Sequence, residues 1–63
     1  MVEYFEVHYI LPGMYDVHIL SEYKGKPIKS KQVARKLAEG IKKAFPSAQM
    51  VQVVAYANGG IID

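Results

Sequence analysis

The stretch that decides the fold is Ser30-Lys31-Gln32-Val33-Ala34-Arg35-Lys36-Leu37-Ala38-Glu39-Gly40-Ile41-Lys42-Lys43-Ala44-Phe45-Pro46. At 100° per residue, Val33, Ala34, Leu37, Ile41, Ala44 and Phe45 fall in one arc of about 120°, and Lys31, Arg35, Lys36, Glu39, Lys42 and Lys43 fill the opposite arc. Ser30 is a suitable N-cap. Pro46 pushes the residue before it out of the α region and ends the helix near Phe45. One face of this helix needs an apolar partner, and the segments on either side supply it.

Residues 2–11 and 15–23 read as strands, rich in the aromatic and β-branched residues that suit a pleated, half-buried surface. Pro12-Gly13 is a turn signal between them. It suits a type II turn, which splays a strict two-residue hairpin. A three-residue connection, Pro12 to Met14, pairs Leu11 with Tyr15. That register places Phe5, Val7, Tyr9 and Leu11 beside Tyr15, Val17, Ile19 and Ser21 on one face. Tyr4, Glu6, His8 and Ile10 then lie beside Asp16, His18, Leu20 and Glu22 on the other. Residues 24–29 read as a polar loop containing Gly25 and Pro27. Residues 50–57 read as a third strand. Asn58-Gly59 is a hairpin signal after it, with residues 60–63 open between a short edge strand and a frayed end.

The expected fold is α+β: a three- or four-stranded, mostly antiparallel sheet (β-β-α-β, with a possible short fourth strand) and one amphipathic helix packed on one face. The chain is a single domain, 1–63. The preferred strand order is 2-1-3, which centres the strand richest in large apolar residues; a parallel placement beside the second strand is the alternative. The expected core is Phe5, Val7, Tyr9, Leu11, Val17, Ile19, Val33, Leu37, Ile41, Phe45, Val51 and Val53.

Charge is unevenly distributed. All eight cations, Lys24, Lys26, Lys29, Lys31, Arg35, Lys36, Lys42 and Lys43, lie between positions 24 and 43, with Glu39 as the one acid among them. Glu3, Glu6, Asp16, Glu22 and Asp63 lie outside. The window thus carries +7 and the remainder −5, which the overall +2 conceals. Such segregation points to an anionic partner for one face. Lysines and arginine on a helix arc and adjoining loop can track phosphates with salt-dependent affinity. The plainer alternative is a solvated helix face.

No other motif competes. His8 and His18, opposed in the expected register and flanked by Glu6 and Asp16, could in principle hold a divalent ion, but the spacing is not diagnostic and a flat sheet face offers no cage. The same groups could be written as an acid–base pair, and Ser21, Ser30 or Ser47 as nucleophiles, yet none lies in a nucleophile elbow. A chain of this length has little room for a ligand pocket. Gly59-Gly60 precedes no helix and is no phosphate loop. No metal, cofactor or catalytic residue is expected.

A single helix leaves one sheet face uncovered. Tyr4, Ile10, Leu20, Val54 and Tyr56 are expected on it, as the interface of a twofold homodimer. Cysteine is absent, which fits a reducing compartment such as the cytoplasm. The N-terminus has no signal-peptide pattern, and no apolar run approaches the ~20 residues of a membrane span. The favoured function is a small non-enzymatic nucleic-acid-binding or nucleic-acid-associated module working through its basic loop and helix face. The alternative is a protein-interaction module, a homodimer docking on an acidic partner.

Overall fold

The computed structural model describes residues 2–57, 60 and 61. The expected α+β architecture forms. In chain order the elements are β1 (Tyr4–Ile10), β2 (His18–Leu20), β3 (Glu22–Tyr23), β4 (Lys26–Pro27), α1 (Lys31–Ala44), β5 (Gln49–Ala57) and β6 (Gly60–Ile61). A four-stranded sheet has the order β2-β1-β5-β6, antiparallel at every step. The preferred order is therefore the observed one, and a short fourth strand is present. Asn58 and Gly59, read as the hairpin turn, lie outside the described residues, as do Ile62 and Asp63.

The helix follows its sequence signals. Ser30 has extended backbone angles, and its hydroxyl accepts from the Val33 N–H at 3.4 Å. Phe45 closes the C-terminal end, donating to the Ile41 carbonyl at 2.8 Å. Lys42 and Lys43 sit in the last turn, where a cation complements the helix dipole. The helix packs over β1 and β5. Its closest approach is through small side chains: Ala34 and Ala38 are buried against Phe5, Val7, Ile28 and Ala55, with Val33, Leu37 and Ile41 half-buried around them. Phe45, expected in the core, is 43% exposed.

The first hairpin is where expectation and structure part. Leu11-Pro12-Gly13-Met14 does close a turn, with Gly13 at φ +77° and the Met14 N–H donating to the Leu11 carbonyl at 3.1 Å. Pairing does not resume at Tyr15, however. β2 begins only at His18, and the partners are Val7–Leu20, His8–Ile19 and Tyr9–His18. This is one residue away from the expected register. Because side chains alternate faces, the slip exchanges every position of the strand. Leu20 joins the core, and Val17 and Ile19, expected there, are 53% and 56% exposed. Leu11 is half-buried outside the core cluster. Alternation over residues 15–23 favours the phase of Tyr15, Val17 and Ile19, since Leu20 is the one apolar residue among Asp16, His18, Leu20 and Glu22; the structure adopts the other phase.

Residues 24–29 are not simply a polar loop. After Ser21 the chain leaves the sheet as a small hairpin, β3–β4, turning through Lys24 and Gly25 with φ of +54° and +79°. Two left-handed residues are the signature of a type I′ turn, which matches strand twist. The chain then returns at Ile28. The Phe5 N–H donates to the Ile28 carbonyl at 2.7 Å, and the Ile28 N–H reaches the Ser21 carbonyl at 3.4 Å. Ile28, 2% exposed, is thereby a central core residue.

β5 carries a bulge opposite Tyr9, where the register with β1 shifts between His8–Gln52 and Ile10–Gln49. Within it Met50 has φ +53° and is 68% exposed. A left-handed conformation strains any residue bearing a Cβ. Met50→Gly removes the strain and loses little packing, so it is expected to stabilise the fold by about 0.5–1 kcal/mol after the added backbone entropy of glycine. A urea titration checks this; an unchanged or lower midpoint would show that the bulge stores no strain.

Candidate polyanion-binding surface

All eight basic side chains are exposed. The elements distribute them in order. Lys24 and Lys26 stand at the tip of the β3–β4 hairpin, Lys29 lies in the link to α1, and Lys31, Arg35, Lys36, Lys42 and Lys43 occupy the solvent side of the helix. Among the described residues no carboxylate pairs with any of these cations; the ion pair present is His8–Glu6, on the sheet. Glu39, which could have bridged to Arg35 or Lys43 along the helix, does not. An uncompensated set of cations on neighbouring elements keeps its potential for an incoming anion.

The helix is bordered by a groove on each side, and each groove has a cation in its wall. Between α1 and the sheet, Arg35, Glu39 and Lys42 line a depression of about 260 Å³ with Val51 and Val53. Between α1 and the hairpin, Tyr23, Val33, Lys36 and Leu37 enclose about 390 Å³. A third open cleft, of about 560 Å³, is lined by Val2, Glu3, Tyr4, Pro27 and Lys29. All three are open surface depressions, two of them lined in part by hairpin residues.

Tyr23 is the residue that sequence reasoning passed over. It is 44% exposed, and the Lys24 ammonium lies 5.3 Å from its ring centroid. An aromatic residue followed by Lys-Gly-Lys was the available signal. It was obscured because Tyr23 had been assigned to the end of a long strand.

The opposite face of the sheet is chemically distinct. Tyr4 and Tyr56, direct partners across β1 and β5, stack with centroids 5.0 Å apart and planes 6° from parallel. Hydrogen bonding toward the Glu6 carboxylate, with burial and the neighbouring negative charge, raises the Tyr56 pKa above its ordinary 10.0. Glu6 also contacts His8 Nε2 at 2.9 Å. Val54, the cross-strand partner of Glu6, is 5% exposed.

Two expected clusters are taken apart by the observed register. His8 lies on this outer face opposite Ile19, whereas His18 lies on the helix side, stacked on Tyr9 at 5.5 Å. The two histidines therefore do not meet, and no group of three or more metal-ligating side chains forms among the described residues. Of the expected interface residues, Leu20 belongs to the core instead, Val54 is buried, and Tyr4, Ile10 and Tyr56 are half-buried. The open apolar positions on this face are Ile19 and Ile61, at 56% and 61% exposure. Among the described residues no helix is long and apolar enough to cross a membrane.

Comparison of the chain with protein-family models, curated proteins and solved structures finds no match.

Proposed function

We propose that the protein is a small non-enzymatic module that binds nucleic acid, or works in association with it, through the helix and hairpin. The observation that carries this reading is the exposure of eight cations on adjoining elements with no carboxylate partner among the described residues. Counterion release on contact with phosphates supplies affinity without base recognition. The grooves on both sides of the helix give the surface relief that a backbone can follow.

The test is direct. The wild-type chain should be retained on heparin and on mixed-sequence DNA or RNA at low salt, with log K falling linearly against log salt. Absence of salt-dependent retention on all of them sinks the reading. Retention of a cellular protein that survives nuclease treatment, with no binding to purified nucleic acid, would move it to the docking of an acidic protein partner.

Self-association through the outer sheet face is the second part of the proposal. It is supported by Ile19 and Ile61, exposed near opposite edges of that face, and by the small size of the core available to one copy. A twofold pairing there would cover both and leave the basic side free. At micromolar concentration the chain should sediment as a dimer, and Ile19→Lys should shift it toward monomer. A wild-type monomer across that range rules the pairing out.

A further inference from the structure

The groove between the hairpin and the helix has a more specific chemistry than the basic surface around it. One wall is the Tyr23 ring, the floor is the aliphatic pair Val33 and Leu37, and Lys36 stands at the rim. Lys24 lies over the ring and Lys26 is the direct cross-strand partner of Tyr23. The site therefore combines an aromatic face, apolar contact and at least three ammonium groups within one hairpin and one helical turn. The groove is open to solvent along one side, so a ring can enter it from the surface.

We propose that this groove holds an unpaired base of single-stranded nucleic acid, stacked on Tyr23, with the flanking phosphates held by Lys24, Lys26 and Lys36. The inference rests on the proposed nucleic-acid-binding reading and deepens it. Polyanion binding in general needs only the lysines. A stacking ring beside them selects ligands whose base faces are free, which duplexes do not offer. The geometry gives Lys24 two roles. In the free protein its ammonium sits over the electron-rich Tyr23 ring, and when a strand is bound the same flexible side chain reaches a phosphate. The rigid part of the site is the type I′ turn, which fixes Tyr23 and Lys26 side by side.

The experiment compares a deoxythymidine decamer, a uridine decamer and an abasic decamer with the same number of phosphates, at one salt concentration. Wild type should bind either base-bearing decamer about tenfold more tightly than the abasic one, the order expected for one stacked base. Tyr23→Leu, which keeps apolar bulk, should abolish that difference, and Tyr23→Phe should preserve it. The Tyr23 ring resonances should move upfield on titration with the thymidine decamer in wild type. Equal affinity for the abasic and base-bearing decamers, or a Tyr23→Leu variant that still discriminates, overturns the stacking site and leaves the general polyanion reading standing. Failure of wild type to bind any of the three overturns both.

Discussion

Ile28→Ala leaves the chain largely unfolded at physiological temperature. Ile28 is 2% exposed and packs in one cluster with Phe5, Val7, Ala34, Ala38 and Ala55. Removing a buried isoleucine side chain down to alanine costs about 2–5 kcal/mol, through lost transfer energy and the cavity left behind. A domain of this size has only about 3–5 kcal/mol to lose. The backbone contacts of the residue do not confuse the result: the Phe5 N–H still finds the carbonyl at position 28, and the N–H of position 28 still reaches Ser21. Val17→Ala is the matched control, since Val17 is 53% exposed; its effect should stay within about 0.5 kcal/mol. Thermal and urea unfolding followed by circular dichroism decide the matter. If Ile28→Ala melts with the wild type while Val17→Ala does not, Ile28 is outside the core and the hairpin does not fold back as described.

The largest functional effect is expected from reversing charge on the helix. Arg35→Glu, Lys36→Glu and Lys43→Glu together take the net charge from +2 to −4, each reversal subtracting two. Affinity for a mixed-sequence polyanion should fall on the order of 100-fold or more at moderate salt, and the salt dependence should flatten by roughly one unit of slope for each phosphate contact removed. The fold should survive. All three side chains are exposed and without a carboxylate partner among the described residues. The one foreseeable cost is at Lys43, in the last helical turn, where a negative charge opposes the dipole by about 0.3–1 kcal/mol. Circular dichroism on the same samples separates unfolding from lost binding. A folded triple variant with wild-type affinity and wild-type salt slope would remove the helix from the binding surface.

The parts of the structure legible in the sequence are those with redundant signals. The helix had a cap at Ser30, a stop at Pro46 and an unbroken amphipathic period between them, and it forms over Lys31–Ala44. The third strand, read over residues 50–57, forms as β5 over Gln49–Ala57. The register of β2 was misread, because alternation over residues 15–23 favours Val17 and Ile19 over His18 and Leu20, whereas a three-residue strand is held by tertiary contact rather than by pattern. Leu20 lies opposite Val7, which has no exposed surface, and His18 stacks on Tyr9; those two contacts select the register. Ile28 was hidden for a related reason. A single apolar residue between Pro27 and Lys29 looks like part of a polar loop until the strand it bridges is known. Lys24-Gly25 concealed a type I′ turn because lysine, unlike asparagine or aspartate, gains nothing locally from a left-handed backbone. For the candidate surface, the charge segregation was visible directly. Its relief was not, since both grooves depend on how the hairpin and sheet flank the helix.

The way the β3–β4 hairpin is attached has a consequence for how this chain can change. Ser21 and Ile28 are tied together at its base, and Ile28 alone of that segment is a core residue. The six residues between them are all exposed. They form a socket with an interchangeable insert: hairpins of other lengths and compositions can be set between the same two anchors without disturbing the register of the sheet or the entry into the helix. The side chains the hairpin displays can therefore drift, or be replaced by grafting, independently of stability.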